Sequence, residues 1–494
     1  MCIKREFEMN VSKTEVVAAA LPMQDHWLPL SNLDLLLPPV DVGVFFCYKT
    51  TNELSFGHIV GVLKKALAQT LVSYYAFAAV LVKNSAGEPE LLCNNSGVDF
   101  VEAYGGVELK DLNLYNPDES VEGKLVPERK RGVLAVQTAE IVQKDRHRKT
   151  FKDSFRDRYE CSPYGSRNSD LVTQLKCGGV VVAATFAHQV ADAYSANMFL
   201  VSWAEMAQFK PLSLPPPSFR RSLLFPRRPG AYHLSVDNMY IPISALPPPQ
   251  DDDNDDNQAA ISRIYYITSD RINKIQSLAN IDTAEDDRRS KLVAFSAYLW
   301  KTIAAGKNSD KNCKLGLVVD GRSRLIDGDE NEAKLIASYF GNVLSIPFGE
   351  IGIGKLNEKP LNWVAREVHA FLKCAVTKEH FLGLIDWVEE RRPEMGVSRI
   401  YAARVTEEEP AVVVSSGKDF PVRRMDFGWG LPVFGSYHFP WGGKSGYVMP
   451  MVSPKGNGDW VVYMHLLRGQ LELIESTAAH VFSPITSDYL LSMT

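Results

Sequence analysis

In "CGGVVVAATFAHQVADAYSANMFLVSWAEMAQF" (Cys177–Phe209) the apolar pattern changes period once. The first part, VVVAATFA, is a run of strand length that is apolar except for Thr185, as expected of a strand buried on both faces. Beyond it, Met198, Val201 and Met206 fall at helical spacing behind a polar first turn. His188 thus stands where a strand hands over to a helix, with Asp192 four residues on. On local grounds two readings of this histidine stay open. It can be a core side chain near a helix start, with Asp192 favoured there by the helix dipole. It can also be an imidazole placed to take a proton near neutral pH, with the carboxylate bracing its loop.

The same alternation runs outward through the chain. Val42–Thr50 reads as a buried strand. Ile59, Leu63, Leu67 and Leu71 then mark a helix that ends in strand-like sequence. "SRIYYITSDRINKIQSLAN" reads as strand then helix, "SKLVAFSAYLWKTIAAG" as an amphipathic helix, and "CKLGLVVDGRSRL" as a strand ending in a turn. "DWVVYMHLLRGQLELIES" is a late strand leading into a helix. Strands and helices alternating in both halves predict an α/β fold. A length of 494 residues exceeds what one hydrophobic core usually organises, so two domains are expected. The proline- and arginine-rich segment 210–230 suits a crossover between them, which puts the domains at 1–209 and 231–494. An acidic loop, 246–260, interrupts the second.

Composition excludes several classes of function. The net charge of -5 argues against a nucleic-acid or polybasic membrane surface. The N-terminus lacks the apolar core of a secretory signal, and no run of about eighteen apolar residues predicts a membrane span. Seven scattered cysteines without a CxxC pair fit reduced thiols in a cytoplasmic protein. Cys93 and Cys177, in apolar stretches, read as small core residues.

Three segments resemble chemistry that their details do not support. "GEIGIGK" (Gly349–Lys355) has the spacing of a phosphate loop, but Leu356 stands where the magnesium-binding hydroxyl belongs, so a plain glycine-rich loop is expected. The aspartates of 251–256 lack the glycine and closing glutamate of a calcium loop, and no metal site is expected. No G-x-S-x-G elbow occurs, and "GRSR" (Gly321–Arg324) only looks similar.

One further segment, "RRMDFGWGLP" (Arg423–Pro432), packs Asp426, Gly428, Trp429 and Gly430 into a compact proline-flanked turn. H-x-x-x-D at 188–192 followed by D-F-G-W-G at 426–430 resembles the plant BAHD acyl-CoA-dependent acyltransferases. "LPLSNLDLL" (Leu28–Leu36), "VDGRSRL" (Val319–Leu325) and "SYFGNVL" (Ser338–Leu344) match further segments in the family's order, across nearly the whole chain. The resemblance implies two chloramphenicol acetyltransferase-like α/β domains with a solvent channel between them. It implies His188 as general base, acyl-CoA as co-substrate, no permanently bound cofactor, and a monomer. Asp192 then pairs with an arginine of "VDGRSRL", Arg322 being the better choice, and braces the loop. Asp426, Gly428, Trp429 and Gly430 are structural by the same analogy, holding the channel from the second domain. Two departures stand out. Ala187 replaces a histidine common in relatives, and Ala193 replaces a glycine, so the turn there should avoid positive φ.

Within the family the chain looks most similar to enzymes that acylate phenylpropenols such as coniferyl alcohol. Shikimate-accepting relatives carry an arginine seven residues before the aspartate of D-F-G-W-G. Here that position is Asp419, whose charge would repel an acidic acceptor, although Lys418, Arg423 and Arg424 are close in sequence. An uncharged aromatic alcohol is therefore the expected partner, with Phe46, Tyr437, Phe439 and Trp441 as candidate pocket walls and His438 as a structural residue. Acetyl-CoA fits that subgroup as donor. The alternatives are hydroxycinnamoyl transfer to shikimate or quinate, or to a polyamine drawn by Asp419 and the 251–256 run. From other classes come a non-catalytic ligand-binding homologue and a thioester hydrolase.

Overall fold

The computed structural model describes residues 7–49, 54–141, 179–246, 259–306, 310–326, 328–402, 409–443 and 445–492. The acidic run 251–256 and Cys177 lie outside the described residues. In chain order the strands of the two large sheets are β1 (Met9–Val17), β2 (Asp41–Lys49), β3 (Val98–Gly105), β4 (Leu134–Ile141), β5 (Gly179–Ala187), β6 (Ala260–Ile267) and β7 (Asn312–Leu317). There follow β8 (Phe348–Gly352), β9 (Ala411–Val414), β10 (Phe434–His438), β11 (Gly446–Val452), β12 (Trp460–Leu467) and β13 (Ser483–Pro484).

The first sheet has six strands in the order β1-β3-β4-β5-β2-β10. β5 is buried at every position and sits inside the sheet, between β4 and β2. That placement is why its sequence is apolar without alternation. Ile59, Leu63, Leu67 and Leu71 are all buried on α1 (Phe56–Ser73). This helix packs against α3 (Ala193–Ala207), where Trp203 Nε1 donates to the Leu63 carbonyl at 3.0 Å. The short helix α2 (Pro117–Ser120) lies between β3 and β4 in sequence.

The second sheet has seven strands in the order β8-β7-β9-β11-β12-β6-β13. Helix α5 (Lys291–Ala304) is the amphipathic helix expected from "SKLVAFSAYLWKTIAAG". It contacts α4 (Ser269–Ala279), α6 (Leu361–Lys373) and α8 (Arg468–Thr477). Helix α7 (Lys378–Arg391) packs its buried face into the same core as the first sheet. Mixed α/β architecture around two large sheets is thus observed as expected. Among the described residues no helix is long and apolar enough to cross a membrane.

Two details depart from the sequence-based picture. β10 lies in 231–494, yet it pairs with β2 at the edge of the first sheet, Phe434 opposite Cys47 and His438 opposite Gly43. The second half therefore completes the first sheet. Second, Gly349–Lys355 is not a loop. It is strand β8 running into a short helix, Ile353–Glu358. Gly349 serves packing there, since a Cβ would stand 2.7 Å from the Phe371 ring.

Candidate active site

His188 follows the last residue of β5, in a turn that ends at Asp192, the N-cap of α3. Asp192 has extended backbone, φ -80° and ψ 176°, and its Oδ1 accepts from Ser195 N at 2.9 Å. That bond satisfies one of the free amides of the helix start. Ala193 is the first helical residue and has no positive φ, as its identity predicts. The turn is also fixed by its backbone, with His188 N donating to Val40 O at 2.9 Å.

The quoted segments converge on this turn. Arg322 sends two parallel hydrogen bonds to the Asp192 carboxylate, at 2.8 and 3.1 Å. The same guanidinium reaches Ser195 Oγ at 3.0 Å and the carbonyls of Tyr339 and Gly341 at 3.2 and 3.0 Å. Burial by itself would lower the pKa of Arg322, but the charges of Asp192 and Asp320 outweigh it and hold it above its ordinary value. Asn342 closes the other side. Its Nδ2 donates to the His188 carbonyl at 2.9 Å and to Asp34 Oδ1 at 2.9 Å, and its backbone N donates to the same oxygen at 2.7 Å. Gly341 makes this approach possible. Its φ of +149° disfavours other residues, and a Cβ would stand 2.9 Å from the Tyr339 ring. Asp34 and Asn342 were not singled out from sequence. Both sit inside segments that match the family, which was the available signal.

His188 is partly exposed and lines a cavity of about 720 Å³ between the two halves. Among the described residues its buried Nδ1 has no hydrogen-bond partner, and the buried Asn342 Oδ1 is likewise unpaired. Burial pushes the imidazole below its usual pKa, with the charge of Asp192 pulling the other way. From the first half Val40, Tyr194 and Asn197 line the cavity. From the second half come Asp320, Asp419, Phe439, Trp441 and Tyr447, together with the cations Lys291, Arg324 and Lys418. The ring of Phe439 stands edge-on to that of His188, with centroids 6.1 Å apart.

The expected pocket residues divide. Asp419, Phe439 and Trp441 are on the cavity wall. The Asp419 side chain is 66% exposed and its carboxylate lies 3.9 Å from Lys418 Nζ. Tyr437 lines a small pocket of about 20 Å³ that shares His188 and Phe439. Its hydroxyl donates to Asn197 Oδ1 at 2.8 Å. Phe46 corrects the expectation. It is 1% exposed and stacks on Phe420 at 5.4 Å, so it belongs to the core and not to the wall.

The D-F-G-W-G turn stands at the far end of α3 from His188, and that helix of 15 residues is about 22 Å long. Asp426 Oδ1 accepts from Gly428 N and Gly430 N at 2.8 and 2.9 Å, and both glycines have positive φ, +110° and +103°. Gln208, the C-cap of α3, donates to the Asp426 carbonyl. Trp429 stacks on Phe427 at 5.5 Å, and Phe427 meets Trp203 at 4.9 Å. The turn's contacts are thus with α3 and its surroundings.

Comparison with known proteins bears on the family and the fold. The family model described as "Transferase family" matches residues 7–140 and 171–481. A shikimate O-hydroxycinnamoyltransferase from Nicotiana tabacum is 26% identical over 477 residues, covering 95% of this chain and 98% of the relative. The crystal structure of vinorine synthase superposes with a TM-score of 0.64 at 17% identity, over 97% of this chain and 99% of that one. That of F. graminearum TRI101 complexed with coenzyme A and T-2 mycotoxin gives 0.66 at 12% identity, over 91% and 97%. At those identities the two structures bear on the fold alone.

Proposed function

The chain belongs to the Transferase family, the BAHD acyl-CoA-dependent acyltransferases, and from that premise we propose that it moves an acetyl group from CoA to the hydroxyl of a phenylpropenol such as coniferyl alcohol. It is an acyltransferase, with acyl-CoA as co-substrate. In our reading His188 is the general base. Nδ1 is buried, which leaves Nε2 as the nitrogen available to a substrate. Burial keeps the imidazole neutral at pH 7, the form a base requires. As the acceptor oxygen attacks the thioester carbonyl, Nε2 takes the hydroxyl proton and a C–O bond forms. The tetrahedral oxyanion then collapses, the C–S bond breaks, and the leaving thiolate takes the proton back from the imidazolium. The cavity contributes orientation by holding both substrates against one imidazole. Lys291, Arg324 and Lys418 on its wall suit the phosphates of CoA. Asp192, Arg322 and the D-F-G-W-G turn act through structure, aiming the loop and anchoring α3. The protein acts as a cytoplasmic monomer in this reading.

The single observation that carries the acceptor class is Asp419 on the cavity wall, beside Phe439, Trp441 and Tyr447. A carboxylate there disfavours an acidic acceptor, and the aromatic wall favours a planar apolar one. A second reading, a hydroxycinnamoyl donor, is favoured by the name of the Nicotiana tabacum relative. The test is a matrix of acetyl-, malonyl-, coumaroyl- and benzoyl-CoA against coniferyl alcohol, shikimate, quinate and spermidine, read by mass spectrometry. Coniferyl esters as the main product support the proposal. Shikimate esters or spermidine amides as the main product overturn the acceptor assignment. Free acid despite the presence of acceptors points to a hydrolase, and no release of CoA to a binding homologue.

A further inference from the structure

A second polar cluster lies at the seam of the two sheets, outside the walls of the His188 cavity. His438 ends β10, is 3% exposed, and among the described residues has no hydrogen-bond partner for either ring nitrogen. Facing it are Asp118 on α2 and Glu122 just beyond that helix. Asp118 Oδ2 accepts from Ser262 N at 2.6 Å, but its Oδ1 is buried and unpaired among the described residues. Glu122 Oε2 is 3.9 Å from His438 Nε2, too far for a hydrogen bond. One ligand atom from each of the three residues lies within 4.8 Å of the others.

Unpaired buried polar atoms are costly, and here Asp118 Oδ1 and both ring nitrogens of His438 are unpaired among the described residues. An ion pair with Glu122 would occupy one ring nitrogen and leave Asp118 Oδ1 unserved. We propose that Asp118, Glu122 and His438 bind a divalent metal ion of the zinc class. Its double positive charge would balance the two carboxylates, and an imidazole ligand favours zinc and its neighbours over magnesium or calcium. Tetrahedral bonds of about 2.0–2.2 Å place ligand atoms roughly 3.5 Å apart, so the site must contract by about 1 Å. Glu122 can supply that movement, its side chain being 53% exposed. The rest of the surround is polar and ordered, with Ser262 Oγ meeting Tyr463 Oη at 3.0 Å and His465 Nδ1 at 3.1 Å. The ion would tie α2 of the first half to the strand that the second half inserts, directly before Phe439. This goes beyond the transferase reading and departs from the absence of metal expected from sequence.

The test is titration of chelator-treated full-length protein with zinc alone, by calorimetry and by thermal unfolding. One tight equivalent and a raised melting temperature are expected. Glu122→Gln and Asp118→Asn should each weaken binding about tenfold or more and remove the thermal shift. Glu285→Gln, a 93% exposed carboxylate elsewhere, should change neither. Glu122 is exposed, so its variant keeps the fold independent of the outcome. No zinc uptake by the parent protein overturns the proposal, as does uptake that the two ligand variants leave unchanged. An equal response to magnesium overturns the assignment to the zinc class. Acyl transfer is not part of the readout, so failure here leaves the assignment of His188 untouched.

Discussion

The Asp192 carboxylate and the Arg322 guanidinium meet through two hydrogen bonds, with side-chain exposures of 0% and 4%. The pair ties the start of α3, in the first half, to the segment after β7, in the second. Because Asp192 also caps α3 and accepts from Val343 N at 3.2 Å, the turn carrying His188 is held from both halves at once.

Asp192→Ala should destabilise the protein by at most about 3–5 kcal/mol, because it removes one of the two carboxylates that compensate a buried guanidinium and leaves only Asp320, at 3.1 Å. Asp192→Asn, which keeps an N-cap acceptor, should cost less. Arg322→Lys should fail to restore the parent, having lost the planar fork. Urea unfolding of the three variants checks the order. Parent-like stability of Asp192→Ala would remove the bracing role.

His188→Ala should lower turnover by about 10²–10⁴-fold while the melting temperature holds. The pH profile gives a separate check. A base must be unprotonated, and burial lowers the pKa of this imidazole, so kcat/KM should fall only below the ordinary histidine value of about 6.5. An acid limb centred above that value would contradict the buried setting.

Asp419→Arg should raise turnover with an acidic acceptor such as shikimate relative to coniferyl alcohol. It replaces a repelling charge on the cavity wall with one that can grip a carboxylate in bidentate fashion. Unchanged acceptor preference, measured as the ratio of kcat/KM values, would show that position 419 does not touch the acceptor.

His380 on α7 is 7% exposed, with Nε2 2.8 Å from Ser345 Oγ, and burial lowers its pKa to about 4. The unfolded chain therefore binds a proton near pH 6.5 that the folded one refuses. The sign follows. Stability is full above about pH 6.5 and falls as pH drops towards 4, by an amount on the order of 3 kcal/mol. His380→Gln should flatten that part of the stability curve, measured by denaturant unfolding at each pH.

Much of this was legible in the sequence because it is local. The change of period in 177–209 is the strand, turn and helix that present His188, and Asp192 is the cap its position suggests. The pairing of Asp192 with Arg322 came through the ordered motifs. What stayed hidden depends on distant partners. Asp34 meets Asn342 across 308 residues, and no local pattern announces that. Phe46 was misplaced because β2 is buried on both faces, so its sequence cannot say which side a ring takes. Gly349 was expected in a plain glycine-rich loop, since a glycine required by a neighbouring ring is written like one required by a turn.

The borrowed strand β10 has a cost in time. During synthesis β2 is complete by residue 49 and its inner neighbour β5 by residue 187, but the strand that covers its outer edge ends at residue 438. At ribosomal rates of about 5–20 residues per second, that edge waits on the order of tens of seconds with its backbone groups unpaired. An uncovered edge is a template for another chain. Nascent and truncated forms ending before residue 434 should therefore be the ones that depend on chaperones, while the finished chain closes its own sheet.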